Sequence, residues 1–146
     1  MAIFIVLVVI VGFFLARLAV PLLSPPPDTL GINDGSLAPC PSSPNCYASA
    51  GSGEAITVEG AMDDAHARIV NIINSMDRAT IITNQPDYVH AEFRSLLWGF
   101  IDDTEFHFDR ENNVIHYRSA ARLGQGDMGV NKQRIERIVN AFRRAS

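Results

Sequence analysis

The chain is poor in the residues that most often announce chemistry. It has only two cysteines in 146 residues. Those are too few to ligate a structural zinc by themselves, and Cys40 and Cys46 lie too far apart for a C-x-x-C redox pair. No Ser-His-Asp or Cys-His arrangement is visible, and no His-x-x-x-His spacing. The glycine-bearing tract near the C terminus lacks the Lys-Ser/Thr of a Walker loop and the spacing of a dinucleotide fingerprint. Positive charge is also short: the net charge is −4. A general nucleic-acid partner is therefore excluded, because neutralising phosphates takes an excess of Lys and Arg on the binding face. The length leaves room for one folded domain with one core.

What is present begins with a long apolar run. Ala2 to Ala16 carries no polar side chain, and after Arg17 the apolar character resumes through Leu23. About 22 such residues make roughly 33 Å of helix, enough to cross a bilayer if Arg17 snorkels to the interface. A cleaved signal peptide would show a basic n-region and a small-x-small site, and neither is found, so residues 1–23 are expected to be an uncleaved single-pass anchor. Arg17 taken alone would place the domain in the cytoplasm. The loop Pro39-Cys40-Pro41-Ser42-Ser43-Pro44-Asn45-Cys46 argues the other way, since a disulfide there implies an oxidising compartment. An extracytoplasmic domain is the expectation.

Residues 24–53 are rich in Pro, Ser, Gly and Asn and are expected to form a stalk followed by a loop lying on the domain. Residues 54–146 carry the periodic patterns. Ile56 to Glu59 alternates as a short strand. Met62, Ala65, His66, Ile69, Val70, Ile73 and Met76 then recur at helical spacing, with Asp63 and Asp64 in the first turn. Four strands follow, at 79–83, 88–95, 100–109 and 114–119, and Ile135, Ile138, Val139 and Phe142 mark a final amphipathic helix. The order β-α-β-β-β-β-α predicts an α+β fold: an antiparallel sheet with two helices on one face, in an order like that of the TATA-box-binding-protein fold.

Strand parity sorts the side chains. If Phe93, Thr104, Phe106, Phe108, Ile115 and Tyr117 face the helices, then His90, Glu92, Arg94, Asp103, Glu105, His107, His116 and Arg118 project from the other face. Pairing the hairpins about their turns sets Glu105 beside Arg118, His107 beside His116 and His90 beside Glu105. A zinc set of His90, Glu105, His107 and His116 is a weak candidate beside a solvated ion-pair network, and no cofactor is implied.

Charge is asymmetric along the chain. Residues 28–109 hold thirteen acids against three Arg, and residues 110–146 hold eight basic residues, seven of them Arg, against three acids. The tract Arg118 to Glu136 concentrates this. Gly124, Gly126 and Gly129 allow a turning connection, and the helix that follows offers amide donors to an anion. Asp127 is placed to cap that helix or to accept from Arg122 or Arg134. A bracing Arg-Asp-Asn network and an anion site both fit these residues.

Four segments carry a resemblance: Leu37 to Cys46, Ala91 to Ser95, Phe100 to Phe106, and the Arg118 to Glu136 tract. Together they resemble the bacterial and plastid family known as domain of unknown function 1499, over about residues 30 to 144. The resemblance implies no activity or cofactor. It singles out Cys40, Cys46, Arg94, Ser95, Asp102, Asp103, Glu105, Arg118, Ser119, Arg122, Gly124, Asp127, Gly129, Asn131, Arg134 and Glu136.

Three functions compete. The first is a membrane-tethered module that binds a small anionic or lipid-like ligand through Arg94, Ser95, Arg118, Ser119, Arg122, Asn131 and Arg134, supported by Asp102, Asp103, Glu105, Asp127 and Glu136. The second is a structural or adaptor protein whose charges serve the fold. The third, ranked last, is a metal-dependent hydrolase using Asp102, Asp103 and Glu105, weakened because adjacent strand residues point to opposite faces.

Overall fold

In the computed structural model, which describes residues 1–145, the elements run α1 (Ala2–Leu22), β1 (Ile32–Asn33), β2 (Ser36–Leu37), β3 (Cys46–Ala48), α2 (Ser49–Ser52), β4 (Ile56–Thr57), α3 (Met62–Asn74), β5 (Ala79–Gln85), β6 (Tyr88–Arg94), β7 (Ile101–Asp109), β8 (Val114–Ala121) and α4 (Val130–Arg144). Ser146, the last residue of the expected 54–146 domain, lies outside the described residues. Four helices with antiparallel sheets make this an α+β protein. The observed order is longer than the predicted one, because β1, β2, β3 and α2 arise in the segment whose composition suggested stalk and loop.

The main sheet runs β3-β8-β7-β6-β5, with β4 also paired to β8. The short strands share one edge of β8: Ala48 stands opposite Arg118, and Ile56 opposite Ile115. The meander has the expected register, with Glu105 opposite Arg118, His107 opposite His116 and His90 opposite Glu105. The hairpin β1–β2 turns through Asp34 and Gly35, both at positive φ (49° and 77°), as a two-residue loop that follows the strand twist requires.

The core lies between the sheet and the helices α3 and α4. α3 buries Met62, Ala65, Ile69 and Ile73, and α4 buries Ile135, Ile138 and Phe142, both at helical spacing. These meet Val89, Ala91, Phe106, Phe108 and Ile115 from alternate sheet positions. Each fully buried side chain of this kind contributes about 1.5–3 kcal/mol relative to exposure.

The opposite sheet face departs from expectation. His90, Asp103, Glu105 and Arg118 are buried there, beneath the chain that leaves α1, while Arg94 is exposed and His107 and His116 are half-buried. Ser24 is 1 % exposed only two residues after the helix ends, and its carbonyl accepts from Arg122 Nη1 at 3.1 Å. The Gly31 amide donates to Glu105 Oε1 at 2.8 Å. Residues from Ser24 onward therefore lie on the sheet, and Asp103 and Glu105 are at most 1 % exposed. A disulfide joins Cys40 to Cys46, with Cα atoms 5.6 Å apart, and closes the Pro-rich loop at the start of β3.

α1 contains one stretch, Ile3–Leu22, long and apolar enough to cross a membrane, a character that signal sequences share. Most of its apolar side chains are exposed, with Phe13, Ala19 and Val20 half-buried.

Candidate functional site

Two polar clusters are built on opposite faces of the β7–β8 hairpin. On the helix face, Thr104 and Ser119 exchange a hydroxyl hydrogen bond at 2.8 Å, and Ser119 donates to Asn131 Oδ1 at 2.6 Å. Arg134, one turn further along α4, donates to Ser119, to Asn131 and to Asp102 Oδ2 at 2.6 Å. Its guanidinium lies 4.6 Å over the Phe93 ring. Asn131 in turn donates to the Asn45 carbonyl and to Asp127. This arrangement pins the N-terminal turn of α4 to the middle of the sheet.

On the other face, Arg122 is the hub. Its Nε and Nη2 hold Asp103 in a two-point contact at 2.8 and 2.7 Å, and Nη2 also reaches Glu92 at 2.6 Å. His90 Nε2 lies 2.7 Å from Asp103 Oδ1, and Arg94 takes the second oxygen of Glu92 at 2.9 Å. Glu105 is held by Tyr88, Arg118 and the Gly31 amide, each at 2.8 Å. Buried carboxylates tolerate such a position only when paired and hydrogen-bonded.

The electrostatics follow from these contacts. Burial raises the Asp103 carboxyl, but hydrogen bonds from Arg122 and His90 outweigh it and hold the group below the usual range. Burial wins at Asp102, which is held above its ordinary value although Arg134 is bonded to it. Tyr88 is pushed far up by burial and by the Glu105 carboxylate beside it. His107 is lowered by burial and by its stacked neighbour His116, with ring centroids 5.9 Å apart. Asp127 loses solvent, yet amides of Asn131 and Gly129 bonded to it keep it below its ordinary value.

Open space adjoins both clusters. A groove of about 300 Å³ lies on the helix face between α4 and the ends of β6 and β7. Its lining includes Met76, Asp77, Arg78, Phe93, Arg94, Ser95, Asp102, Gln133, Arg134 and Arg137. Arg134 and Arg94 are committed to Asp102 and Glu92. Arg78, at φ 57° in its turn, donates only to the Arg94 carbonyl, and Arg137 is exposed; neither has an acidic partner among the described residues. A second cavity of about 340 Å³ lies beneath the cysteine loop, lined by Pro27, Thr29, Pro39, Cys40, Pro41, Asp103, Arg118 and Arg122. There the buried Nε of Arg118 has no partner among the described residues. A larger space of about 520 Å³ between α4 and β3 is lined by Tyr47, Gly53, Glu54, Tyr117 and Glu136, with no concentration of one charge.

The family model described as "Protein of unknown function (DUF1499)" matches residues 36–142, well over half of the chain. The chain belongs to the DUF1499 family. No curated protein and no solved structure matches it.

In this DUF1499 domain the residues expected to form one ligand site are divided. Arg94, Ser95 and Arg134 line the helix-face groove, Arg118 and Arg122 line the cavity on the other face, and Ser119 and Asn131 are buried and hydrogen-bonded within the domain. Glu105 partners Arg118, as strand pairing predicts. Asp127 partners neither Arg122 nor Arg134: its two oxygens accept from the Gly129 and Asn131 amides and cap α4, while the arginines take Asp103 and Asp102. Glu136 also stands apart, on the exposed side of α4, 3.8 Å from Lys132. The weak zinc set does not assemble. His90 is bonded to Asp103, Glu105 is fully committed, and no group of three or more His, Cys, Asp or Glu side chains converges among the described residues. Asp102 and Asp103 act on opposite faces, each with its own arginine.

Sequence reasoning missed Arg78 and Arg137 as groove residues. Arg134 and Arg137 stand three apart on one helix, which places them on one face and is a readable signal. Nothing local marks Arg78, whose position depends on how the turn after α3 folds. Ser24 and Gly31 were also missed, because their part is played by backbone atoms.

Proposed function

We propose that this DUF1499 protein is a single-pass membrane protein whose domain binds an anionic, amphiphilic ligand at the membrane surface, in the groove lined by Arg78, Arg94, Arg134 and Arg137. The observation that carries this reading is the pair of guanidiniums, Arg78 and Arg137, that border the groove without an acidic partner among the described residues. Planar guanidiniums suit phosphate and carboxylate oxygens, and charge-assisted bonds to them contribute about 1.5–3 kcal/mol each. Phe93 and Met76 supply apolar wall for the rest of an amphiphile. Ser95, at the rim, offers a hydroxyl. Arg118, Ser119, Arg122 and Asn131, expected as ligand contacts, serve in this reading as the brace that holds the groove's walls.

The disulfide and the absence of free cysteines among the described residues favour an extracytoplasmic domain. Labelling of intact cells with a membrane-impermeant reagent at a cysteine introduced at exposed Gln125 tests that placement, and labelling only after lysis contradicts it.

Calorimetric titration of the full chain in phosphatidylcholine nanodiscs with a short-chain phosphatidic acid tests the binding reading. Saturable binding supports it. Heats no larger than those of empty discs refute it and leave the second reading, a structural adaptor, which the complete internal pairing of Arg122 favours.

A further inference from the structure

The loop 95–100 between β6 and β7 is out of character with the rest of the domain. Leu96, Leu97, Trp98 and Phe100 are 71, 58, 45 and 42 % exposed and follow one another in the chain, whereas no two of the other exposed large apolar residues described in the domain (Ile82, Leu123, Met128, Val130) are consecutive. A contiguous exposed apolar patch marks a contact surface. The same loop touches α1. The Trp98 ring lies 5.5 Å from the Phe13 ring, and Arg17 Nη1 donates to the carbonyls of Leu96 and Leu97 at 2.5 and 2.6 Å.

We infer that this loop is seated in the lipid bilayer beside α1, with Leu96, Leu97, Trp98 and Phe100 against the acyl chains and headgroup boundary. The inference rests on α1 being a membrane span. Arg17 precedes the end of α1 at Leu22 by five residues and Phe13 by nine, so at 1.5 Å per residue the contacts lie about 7.5 and 13.5 Å below that end.

A guanidinium at that depth must either snorkel to the headgroups or find acceptors beside it, and loop carbonyls there need donors. Arg17 and the loop satisfy each other. The loop closes further polar groups on itself: Ser95 N donates to the Phe100 carbonyl, Gly99 N to the Ser95 carbonyl, and Phe100 N to Ser95 Oγ. Gly99, at φ 71°, makes the turn that brings the chain back. Trp at the interface is the residue expected there.

The junction is also short. Ser24 is already bound to Arg122, so the domain cannot stand away from the membrane on a stalk without breaking that contact. Seating the loop brings the groove, which shares Ser95 with it, to headgroup level.

Trp98 is the sole tryptophan, so its emission reports this loop alone. The full chain is placed in phosphatidylcholine vesicles whose lipids carry bromine on their acyl chains. The expected result is blue-shifted emission quenched at least about twofold relative to unbrominated lipid, with loss of that quenching and a red shift in Leu96→Asp/Leu97→Asp while the chain stays in the vesicles through an alkaline carbonate wash. Unquenched, acrylamide-accessible Trp98 in a chain that survives the wash overturns the inference and leaves the anchor intact. A chain released by the wash overturns it through the anchor. Arg78→Gln/Arg137→Gln separates this claim from the groove: it is expected to leave the quenching unchanged, whatever it does to binding.

Discussion

Replacing Arg122 by Ala removes the hub of the buried network. The wild-type side chain is 4 % exposed and holds the Asp103 side chain, 2 % exposed, by two hydrogen bonds, with a third to Glu92 and a fourth to the Ser24 carbonyl. Breaking a buried pair by deleting one partner leaves an uncompensated charge, at a cost of about 3–5 kcal/mol. Domain stabilities are about 5–15 kcal/mol, so the loss is a large fraction of the total. With a urea dependence of about 1–3 kcal/mol per molar, the midpoint should fall by about 2 M, read by circular dichroism on the full chain in detergent micelles.

The loss should also depend on pH. Arg122 and His90 hold the Asp103 carboxyl low, so in the wild type its contribution is present above the unfolded value, about 3.9, and disappears as pH falls through the folded one. Without Arg122, burial acts against the charged form, and the gap between variant and wild type narrows in acid. Arg122→Met/Asp103→Leu, which removes both charges and keeps volume, should recover most of the loss. A midpoint moved by less than about 0.3 M, or a gap that does not change with pH, would refute the reasoning.

Further outcomes are expected elsewhere. Ile138→Ala opens space in the core where the side chain is fully buried, and should cost about 2–5 kcal/mol in the same denaturation assay. Gly53→Ala places a Cβ 2.3 Å from the Tyr117 hydroxyl and 3.1 Å from that of Tyr47, so the stacked, buried Tyr117 must move; a loss of about 1–3 kcal/mol is expected, and a neutral result means the pair yields freely. His107 is held below its ordinary value, so the unfolded chain binds the extra proton first. Stability should decline as pH falls from about 6.5 through the folded value, and His107→Gln should flatten that part of the curve.

Much of this architecture is legible in the residues. The helical spacing from Met62 to Ile73 and from Ile135 to Phe142 reports burial on one face, which the fold satisfies, and the alternation in 88–109 sorts apolar from charged side chains, although β6 and β7 are buried on both faces. Strand pairing about short turns likewise yields Glu105 beside Arg118. The partners of Arg122 and Arg134 were not readable in this way. Asp127 was the expected partner of either, but it answers the amides of α4, and the arginines reach acids on β6 and β7 whose distance depends on the twist of the finished sheet. The cover over the second face was invisible for a related reason. Residues 24–48 have no periodicity, and the contacts that Ser24 and Gly31 make with Arg122 and Glu105 use backbone atoms, which any residue carries.

The most direct test of the account is the affinity of Arg137→Gln for short-chain phosphatidic acid, measured beside its urea midpoint. Arg137 is exposed and has no acidic partner among the described residues, so its loss should leave the midpoint unchanged and weaken binding by about tenfold or more. Unchanged affinity in a folded variant would contradict a groove that recognises its ligand through unpaired guanidiniums.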